Sequence, residues 1–467
     1  MRRFLAALAL ASVVLALTPG IAEAKTSKFR IAGSARISGV TSVGNTLSLA
    51  VPGFRPEPTK VIYKWTRSGV TLRGATGDSV VASLPGIYQA RVTAKKRKYS
   101  ARTVSSNAVY VTQRETIAIG SSHGCGLHAD GQVECWGHNS DGQLGDGTTT
   151  SRATAAPVIG LPDPVVEVEA LEFSTCALTV KGEVWCWGRD YRGVLGNGQA
   201  VDPDLYFWDA PIQTAPSRVV GLGGTVETLG GTCALLAGGT VQCWGDGESG
   251  QLGNGQSLSS ATPVSVVGVA GATHVSSYDD TACAVTGGKV KCWGWGNFGE
   301  LGNGKRGHSA TPVTVSGISN AVQVQVGGEH VCTLLATSRV KCWGYNKLGS
   351  IGDKTRTNRT KPVHVAGLTK VSAIATDRGA TCALTAAGAV RCWGLGYGPK
   401  VKTVTGLSKG ATALFGGHCA TKATGSIVCW SDNKYGRLGT DPAIALDDSD
   451  GPASQLRAPQ PQRVFQP

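Results

Sequence analysis

Fourteen cysteines fall into seven pairs: Cys125 with Cys135, Cys176 with Cys186, Cys233 with Cys243, Cys283 with Cys292, Cys332 with Cys342, Cys382 with Cys392 and Cys419 with Cys429. Six pairs are ten residues apart and one is nine, and no cysteine is left over. The pairs recur about every fifty residues, and a repeat of that period points to a solenoid or a propeller. Each unit reads alike: a Val-rich run, the first Cys, a tight turn, Cys-Trp-Gly, a Gly-x-Leu-Gly-[Asn/Asp]-Gly loop, then a Pro-Val segment. The first unit shows this as Cys125-Gly126-Leu127, Cys135-Trp136-Gly137 and Gly142 to Gly147. Short alternating runs separated by Gly, Pro and Asn signal β-strands. Charged residues are 16% of the chain, too few for a long-helix protein, and a 41% hydrophobic share excludes wholesale disorder.

The spacing predicts disulfides. Residues directly opposed across a hairpin are symmetric about its turn, and Cys125 and Cys135 centre on Asp130. That implies a three-residue loop of Ala129, Asp130 and Gly131, whose last position takes positive φ and favours glycine. Gly131, Gly182, Gly239, Gly388 and Gly425 hold that place, while Ser338 departs. The nine-spaced pair centres on Gly287-Gly288, a dipeptide suited to a two-residue type I′ turn. Opposed strand residues lie about 4.5–5.5 Å apart at Cα, within disulfide reach. One local bridge per repeat is therefore expected, each contributing about 2–3 kcal/mol, without additivity across seven. The C-x9-C spacing fits zinc poorly, and no metal is expected.

Residues 1–24 read as a cleaved signal peptide: Arg2 and Arg3, an apolar stretch from Phe4 to Leu17, and Ala22-Glu23-Ala24 as the cleavage site. The apolar stretch is shorter than the roughly 20 residues that a membrane-spanning helix needs. A mature chain starting near Lys25, secreted or at the cell surface and without a transmembrane segment, is the expectation. Export suits oxidised cysteines.

The repeat units resemble the regulator-of-chromosome-condensation repeat, in the Cys-Trp-Gly form frequent among exported bacterial proteins. The resemblance covers roughly residues 116–467 and implies a seven-bladed β-propeller, an all-β fold. It implies that Trp136, Trp187, Trp244, Trp293, Trp343, Trp393 and Trp430 pack between blades. Repeat 6, around Leu395 to Lys400, lacks the Leu-Gly-Asn-Gly loop, and repeat 7 has Ser431 after its Trp. Pro461-Gln462-Arg463-Val464 echoes Pro216-Ser217-Arg218-Val219 of repeat 2, and strand 462–466 is expected to pair back onto the first blade near Thr116–Ile119.

Residues 25–115 differ. They have no cysteine and alternate strongly, as in Val61-Ile62-Tyr63-Lys64-Trp65 and Tyr88-Gln89-Ala90-Arg91-Val92. They look like the disulfide-free immunoglobulin-like β-sandwich modules of exported bacterial proteins, with Trp65 in the core on a central strand.

Charge is unevenly placed. Residues 25–115 hold 16 basic and 3 acidic side chains; residues 116–270 hold 5 and 16, and residues 271–440 hold 20 and 7. The cluster Lys95, Lys96, Arg97 and Lys98 could bind an anionic surface polymer, or be a solvated loop between the last two strands. Repeat 2 carries an insertion with Tyr206, Phe207 and Trp208. These aromatics could anchor a protein partner, or fold back and seal the gap between blades.

Signals for chemistry are weak. Gly120-Ser121-Ser122-His123-Gly124 matches the nucleophile-elbow pattern but runs into a strand, where that motif needs a strand-to-helix turn. His123 and His330 each stand two residues before a first Cys and read as framework positions. The glycine-rich loops lack the alternating acids of a calcium loop. There is no phosphate-binding or dinucleotide fingerprint, so no cofactor is expected, and no signature of sequence-specific nucleic-acid recognition.

The reading is a monomeric, non-enzymatic secreted binding protein that engages an unknown protein partner, with a basic module that tethers to anionic surfaces. The alternatives are a structural surface or matrix component, or an inhibitor of a secreted enzyme. The last follows exported propellers of similar repeat type that inhibit β-lactamases but lack this cysteine pattern. The nucleotide-exchange activity of the family's founding member would need a cytosolic partner, which export argues against.

Overall fold

Each cysteine repeat closes its backbone hydrogen bonds within a sheet of its own. A computed structural model describes residues 27–38, 46–67, 70–72, 74–82, 86–111, 116–128, 130–200, 202, 204, 206–430 and 462–465. The leader read at 1–24, the turn residue Ala129 and Ser431 of the last repeat lie outside them.

From residue 116 onward there are seven four-stranded antiparallel sheets, here called blades, each formed by consecutive strands. Blade 1 comprises Thr116–Ile119, His123–Leu127, Val133–Gly137 and Arg152–Pro157. The first strands of the later blades are Val165–Ala170, Val226–Leu229, Ala272–Tyr278, Ala321–Val326, Val371–Thr376 and Ala411–Phe415. Each of these first strands contacts the next around a closed circuit, and that of blade 7 contacts that of blade 1. They therefore line the centre of a ring: the fold is all-β, with a β-propeller that opens on a central channel.

Turn chemistry fixes the hairpin register. Cys125 stands opposite Cys135, and the same holds in all seven blades, with Cα atoms 4.1 Å apart and the sulfurs bonded. No cysteine is free. Seven disulfides are the mark of a chain that folds in an oxidising compartment. Gly131 turns at φ 88°, and Gly287 and Gly288 both have positive φ, as a type I′ turn requires. Ser338 adopts φ 58° in the place that glycine holds elsewhere, against the side-chain sterics that disfavour this region.

Among the described residues no strand is shared between blades, so loop hydrogen bonds, such as Gly147 N–H to the Thr214 carbonyl, and side chains hold the ring together. Trp187 Nε1 donates to the Gln143 carbonyl of the preceding blade at 2.9 Å. Trp244 donates likewise to Val194, Trp293 to Gln251, Trp343 to Glu300 and Trp393 to Ser350. Each indole also lies on the glycine that follows the loop leucine of the preceding blade. A Cβ on Gly253 would stand 2.7 Å from Trp293 Nε1, and Gly253 itself has φ 66°. Blade 6 lacks that loop, and the buried Trp430 Nε1 has no backbone carbonyl to donate to and stands instead against the Tyr397 side chain. Histidines add a second tie. His123 Nε2 donates to the Thr175 hydroxyl at 2.8 Å, which donates in turn to the Gln143 carbonyl, and His330 pairs with Thr381 at 2.7 Å. Burial holds the His123 pKa down to about 3, so the ring stays neutral.

The closure expected from the chain terminus is corrected. Gln462–Phe465 pairs with Ile427–Cys429 as the outer strand of blade 7, not with Thr116–Ile119. Every blade uses the segment that follows its third strand and loop as its own outer strand, and the last repeat does the same. Blades 7 and 1 meet instead through a cluster of Ile117, Trp136, Cys419, Ile427 and Cys429.

The N-terminal module has a sheet containing Lys60–Arg67 and Gly86–Lys95, and a second sheet of Arg36–Ser38, Thr46–Ala50 and Ser79–Val81. They enclose one core with Trp65, Leu47, Ile37 and Val92, and Trp65 Nε1 donates to the Gly77 carbonyl at 2.9 Å. Arg67, buried at the end of its strand, reaches Glu227 on the channel-lining strand of blade 3 at 2.8 Å.

Gly253→Ala should lower stability by about 2–4 kcal/mol, from positive-φ strain plus overpacking against Trp293. Ser338→Gly should raise it by about 0.5–1 kcal/mol. Denaturant unfolding of the two variants checks the pair, and equal effects would refute the turn and gap assignments.

Candidate functional site

Within a blade the first strand runs up, the second down and the third up. The turn after the first strand and the long loop after the third therefore open on the same face. In blades 1, 3, 5 and 7 the first of these turns opens with glycine: Gly120, Gly230-Gly231, Gly327-Gly328 and Gly416-Gly417. Blades 2, 4 and 6 open it otherwise, with Leu171-Glu172-Phe173, Asp279-Asp280 and Asp377-Arg378-Gly379. The replacements converge on the channel mouth. Arg378 of blade 6 crosses it to form an ion pair with Glu172 of blade 2.

Between blades 2, 3 and 4 this face holds a cavity of about 400 Å³. Its acidic lining is Glu169, Glu172, Asp246, Asp279 and Asp280, its aromatic lining is Phe173, Tyr191, Phe207 and Tyr278, and Arg189 also lines it; Asp246 pairs with Arg192 at 3.1 Å. Crowding shapes the acids. Burial, then the charge of Glu167, pushes the Glu169 pKa up to about 8. Burial raises Glu167 to about 7 against the opposing hydrogen bonds from the Leu229 N–H and the Thr228 hydroxyl. Asp279 rises to about 7 through burial and then Glu172, and Asp280 rises through burial and then Asp246. Burial also pushes the Tyr278 phenol up. Asp279 turns at φ 45°, so the backbone is held in a left-handed conformation at the rim.

The repeat-2 insertion stands beside the cavity. Phe207 packs on Phe173 at 4.7 Å and on Tyr191 at 5.2 Å between ring centroids. Arg189 clamps the turn: its guanidinium pairs with Asp141, donates to the Phe207, Trp208 and Ala210 carbonyls, and lies 5.0 Å from the Phe207 ring centroid. The two sequence alternatives divide by residue. Phe207 folds back, whereas Tyr206 and Trp208 remain 79% and 75% exposed.

Lys95, Lys96, Arg97 and Lys98 lie far along the N-terminal module, at the turn between Gly86–Lys95 and Tyr99–Ser100. Lys95, Arg97 and Lys98 are exposed, while Lys96 Nζ donates to the Glu57 carbonyl at 3.0 Å. The strand register adds neighbours that the linear cluster does not reveal: Lys60 is opposite Lys95 and Lys64 is opposite Arg91, all four exposed.

Sequence reasoning missed Glu169, Phe173, Arg189, Tyr278, Asp279 and Asp280. The available signal was the loss of glycine from the inner turns of repeats 2 and 4. Gly120 to Gly124 enters the strand His123–Leu127, so Ser122 sits on no strand-to-helix turn. Among the described residues no group of three His, Cys, Asp or Glu could hold a metal ion. No helix among them is long and apolar enough to cross a membrane.

The acids give a stability test. A carboxyl whose folded pKa is raised favours its neutral form in the native state, so its charge penalises folding as pH rises from the ordinary value toward the raised one. Glu169→Gln should leave the melting temperature unchanged near pH 4 and raise it above pH 8. A variant no more stable than the parent at pH 8.5 would refute the assigned burial.

Comparison with known proteins bears on the repeats. A model of the regulator of chromosome condensation (RCC1) repeat matches residues 238–285 and 287–334, and a second model of that repeat matches 115–143. The human E3 ubiquitin-protein ligase HERC2 is 30% identical over 164 residues, 33% of this chain and 3% of the ligase. The Arabidopsis thaliana ultraviolet-B receptor UVR8 is 27% identical over 154 residues, 32% of this chain and 33% of the receptor. The chain thus spans at most a third of either relative. Among solved structures, Saccharomyces cerevisiae Prp20p aligns with a TM-score of 0.53 at 20% identity, covering 62% of this chain and 76% of that one. Yeast RCC1 (Prp20) bound to Kap60 aligns at 0.52 and 22%, covering 60% and 70%. These likenesses show the fold, and with the matched segments they show that this chain carries regulator of chromosome condensation repeats on an RCC1-like β-propeller.

Proposed function

We propose that this is an exported, non-enzymatic binding protein. In this reading residues 1–24 are a signal peptide, 25–115 an immunoglobulin-like module and 116–467 a seven-bladed propeller that works as a monomer. The propeller engages a protein partner on the face where the repeat-2 insertion stands. One observation carries this: Tyr206 and Trp208 are exposed on a turn that Arg189 and Phe207 hold rigid. Large exposed aromatics on a preordered backbone lose little entropy on binding, which is why such residues dominate interface energetics. Their place beside a cavity suits a partner that reaches into the ring.

The basic module tethers the protein to an anionic polymer. Like charges placed directly across strands destabilise a sheet on their own. The opposed pairs Lys60 with Lys95 and Lys64 with Arg91, next to Arg97 and Lys98, form one cationic face that an anionic polymer would neutralise.

Capture of a stoichiometric partner from culture supernatant, with Tyr206→Ala and Trp208→Ala each weakening it by about tenfold or more, is the expected result. Unchanged affinity in both variants would reject the aromatic turn as the anchor. For the tether, binding of the full chain to immobilised polyphosphate should weaken steeply as salt passes about 0.15 M, where charges are screened beyond about 8 Å. Salt-insensitive retention would reject it.

A further inference from the structure

We propose that the cavity between blades 2, 3 and 4 receives a single arginine or lysine side chain of the protein partner, so that the aromatic turn grips the partner's backbone while the cup selects a cation. The inference rests on the partner-binding reading above and specifies the chemistry of that partner.

Several independent observations point the same way. Glu169 faces the cavity and has no hydrogen-bond or ion-pair partner among the described residues, although it is closely surrounded by protein. Among the described residues neither Asp279 nor Asp280 makes a contact ion pair: the Arg378 charge reaches Asp279 and the Arg192 and His308 charges reach Asp280 only at longer range, and Asp280 accepts from Gln251 Nε2 at 2.8 Å. Three carboxylates thus share one small space. Opposite them, Phe173, Phe207 and Tyr278 supply ring faces. Carboxylates together with aromatic faces favour a desolvated cation through charge-assisted hydrogen bonds and cation–π attraction. An apolar ligand would leave the acids buried without compensation, and an anion would be repelled.

The chain itself shows the same chemistry at the neighbouring acids of the ring. Arg378 pairs with Glu172 across the mouth, and Arg67 enters from the N-terminal module to pair with Glu227. Arg189 stacks its guanidinium over Phe207 and Trp208. A cavity of about 400 Å³ admits one long basic side chain with its apolar stem against the rings. The occupant is a side chain of a polypeptide, not a free amine, because Tyr206 and Trp208 extend the contact area outside the cup.

The test uses the full chain and two probes of the same shape, N-acetyl-arginine amide and its neutral analogue N-acetyl-citrulline amide, followed by backbone amide shifts of Gly231 and Thr232. The arginine probe should give saturable shifts that the citrulline probe does not. Asp279→Asn with Asp280→Asn, or Glu169→Gln alone should the pair fail to fold, should weaken the arginine probe by about tenfold. Equal binding of the two probes, or an arginine affinity unchanged in folded variants, would overturn the inference. Self-association of the chain that Asp279→Asn with Asp280→Asn abolishes would also overturn it, because the occupant would then be a second copy. If the cup fails these tests while Trp208→Ala still releases the captured partner, the partner-binding reading survives without the cation. If Trp208→Ala has no effect while the arginine probe binds selectively, the cup survives and the anchor is lost.

Discussion

The ring depends on one contact repeated at the gaps between blades: an indole donating to a backbone carbonyl of the preceding blade while lying on a glycine of that blade. It matters because the strand ladders stop at the edge of every blade, and only scattered loop hydrogen bonds, such as Gly147 N–H to the Thr214 carbonyl and Gly255 N–H to the Ala310 carbonyl, cross the gaps beside the apolar packing. The glycine has no substitute, since the backbone there has positive φ and any Cβ would collide with the ring. This couples two motifs of the repeat that are neighbours in space but belong to successive units, Gly-x-Leu-Gly in one and Cys-Trp-Gly in the next. Blade 6 shows the coupling by its failure. Its loop is missing, Trp430 has no backbone carbonyl to donate to, and Tyr397 takes the place beside it with a hydroxyl that burial pushes up to about 12 against the opposing contact with Trp430. The disulfide does within a hairpin what the indole does between blades. Together they leave little freedom for the turns that surround the channel.

Much of this frame was legible because it is written locally. The pairing of Cys125 with Cys135 follows from symmetry about a turn, and Gly287-Gly288 follows from the one residue missing between Cys283 and Cys292. The closing strand was misread for a reason that is not local. The likeness of Pro461–Val464 to Pro216–Val219 identifies the kind of strand, but its partner is set by which edge lies nearest, and that edge belongs to its own blade. The cup was illegible for a related reason. Its members come from residues 169–173, 207, 231–232 and 278–280, and a charge tally by halves of the chain averages them away. What the sequence did hold was a break in its own rule: glycine opens the inner turn in four repeats, and leucine or aspartate opens it in the other three.

That break has a physical consequence which the regularity of the ring makes sharper. Acids brought this close on a mobile loop would splay apart and recover their hydration. Here Asp279 is fixed in a left-handed turn that leads into Thr281–Thr286, a strand stapled by the Cys283–Cys292 disulfide, and Glu169 sits on the channel-lining strand Val165–Ala170, whose register is set by pairing with Ser174–Thr179. They cannot relax, so burial and mutual repulsion are expressed as raised pKa values instead of as motion. The work of assembling the charges is done during folding and is carried by the seven staples and the interblade contacts. With pKa values of about 8 and about 7, Glu169 and Asp279 largely keep their protons in the empty site at neutral pH, and an entering cation favours their ionised forms without the reorganisation that a flexible acidic loop would need. The rigid frame and the concentrated charge are therefore one design: without the staples and the indoles the carboxylates would disperse, and without the carboxylates the rigidity of the channel mouth would have nothing to hold in place.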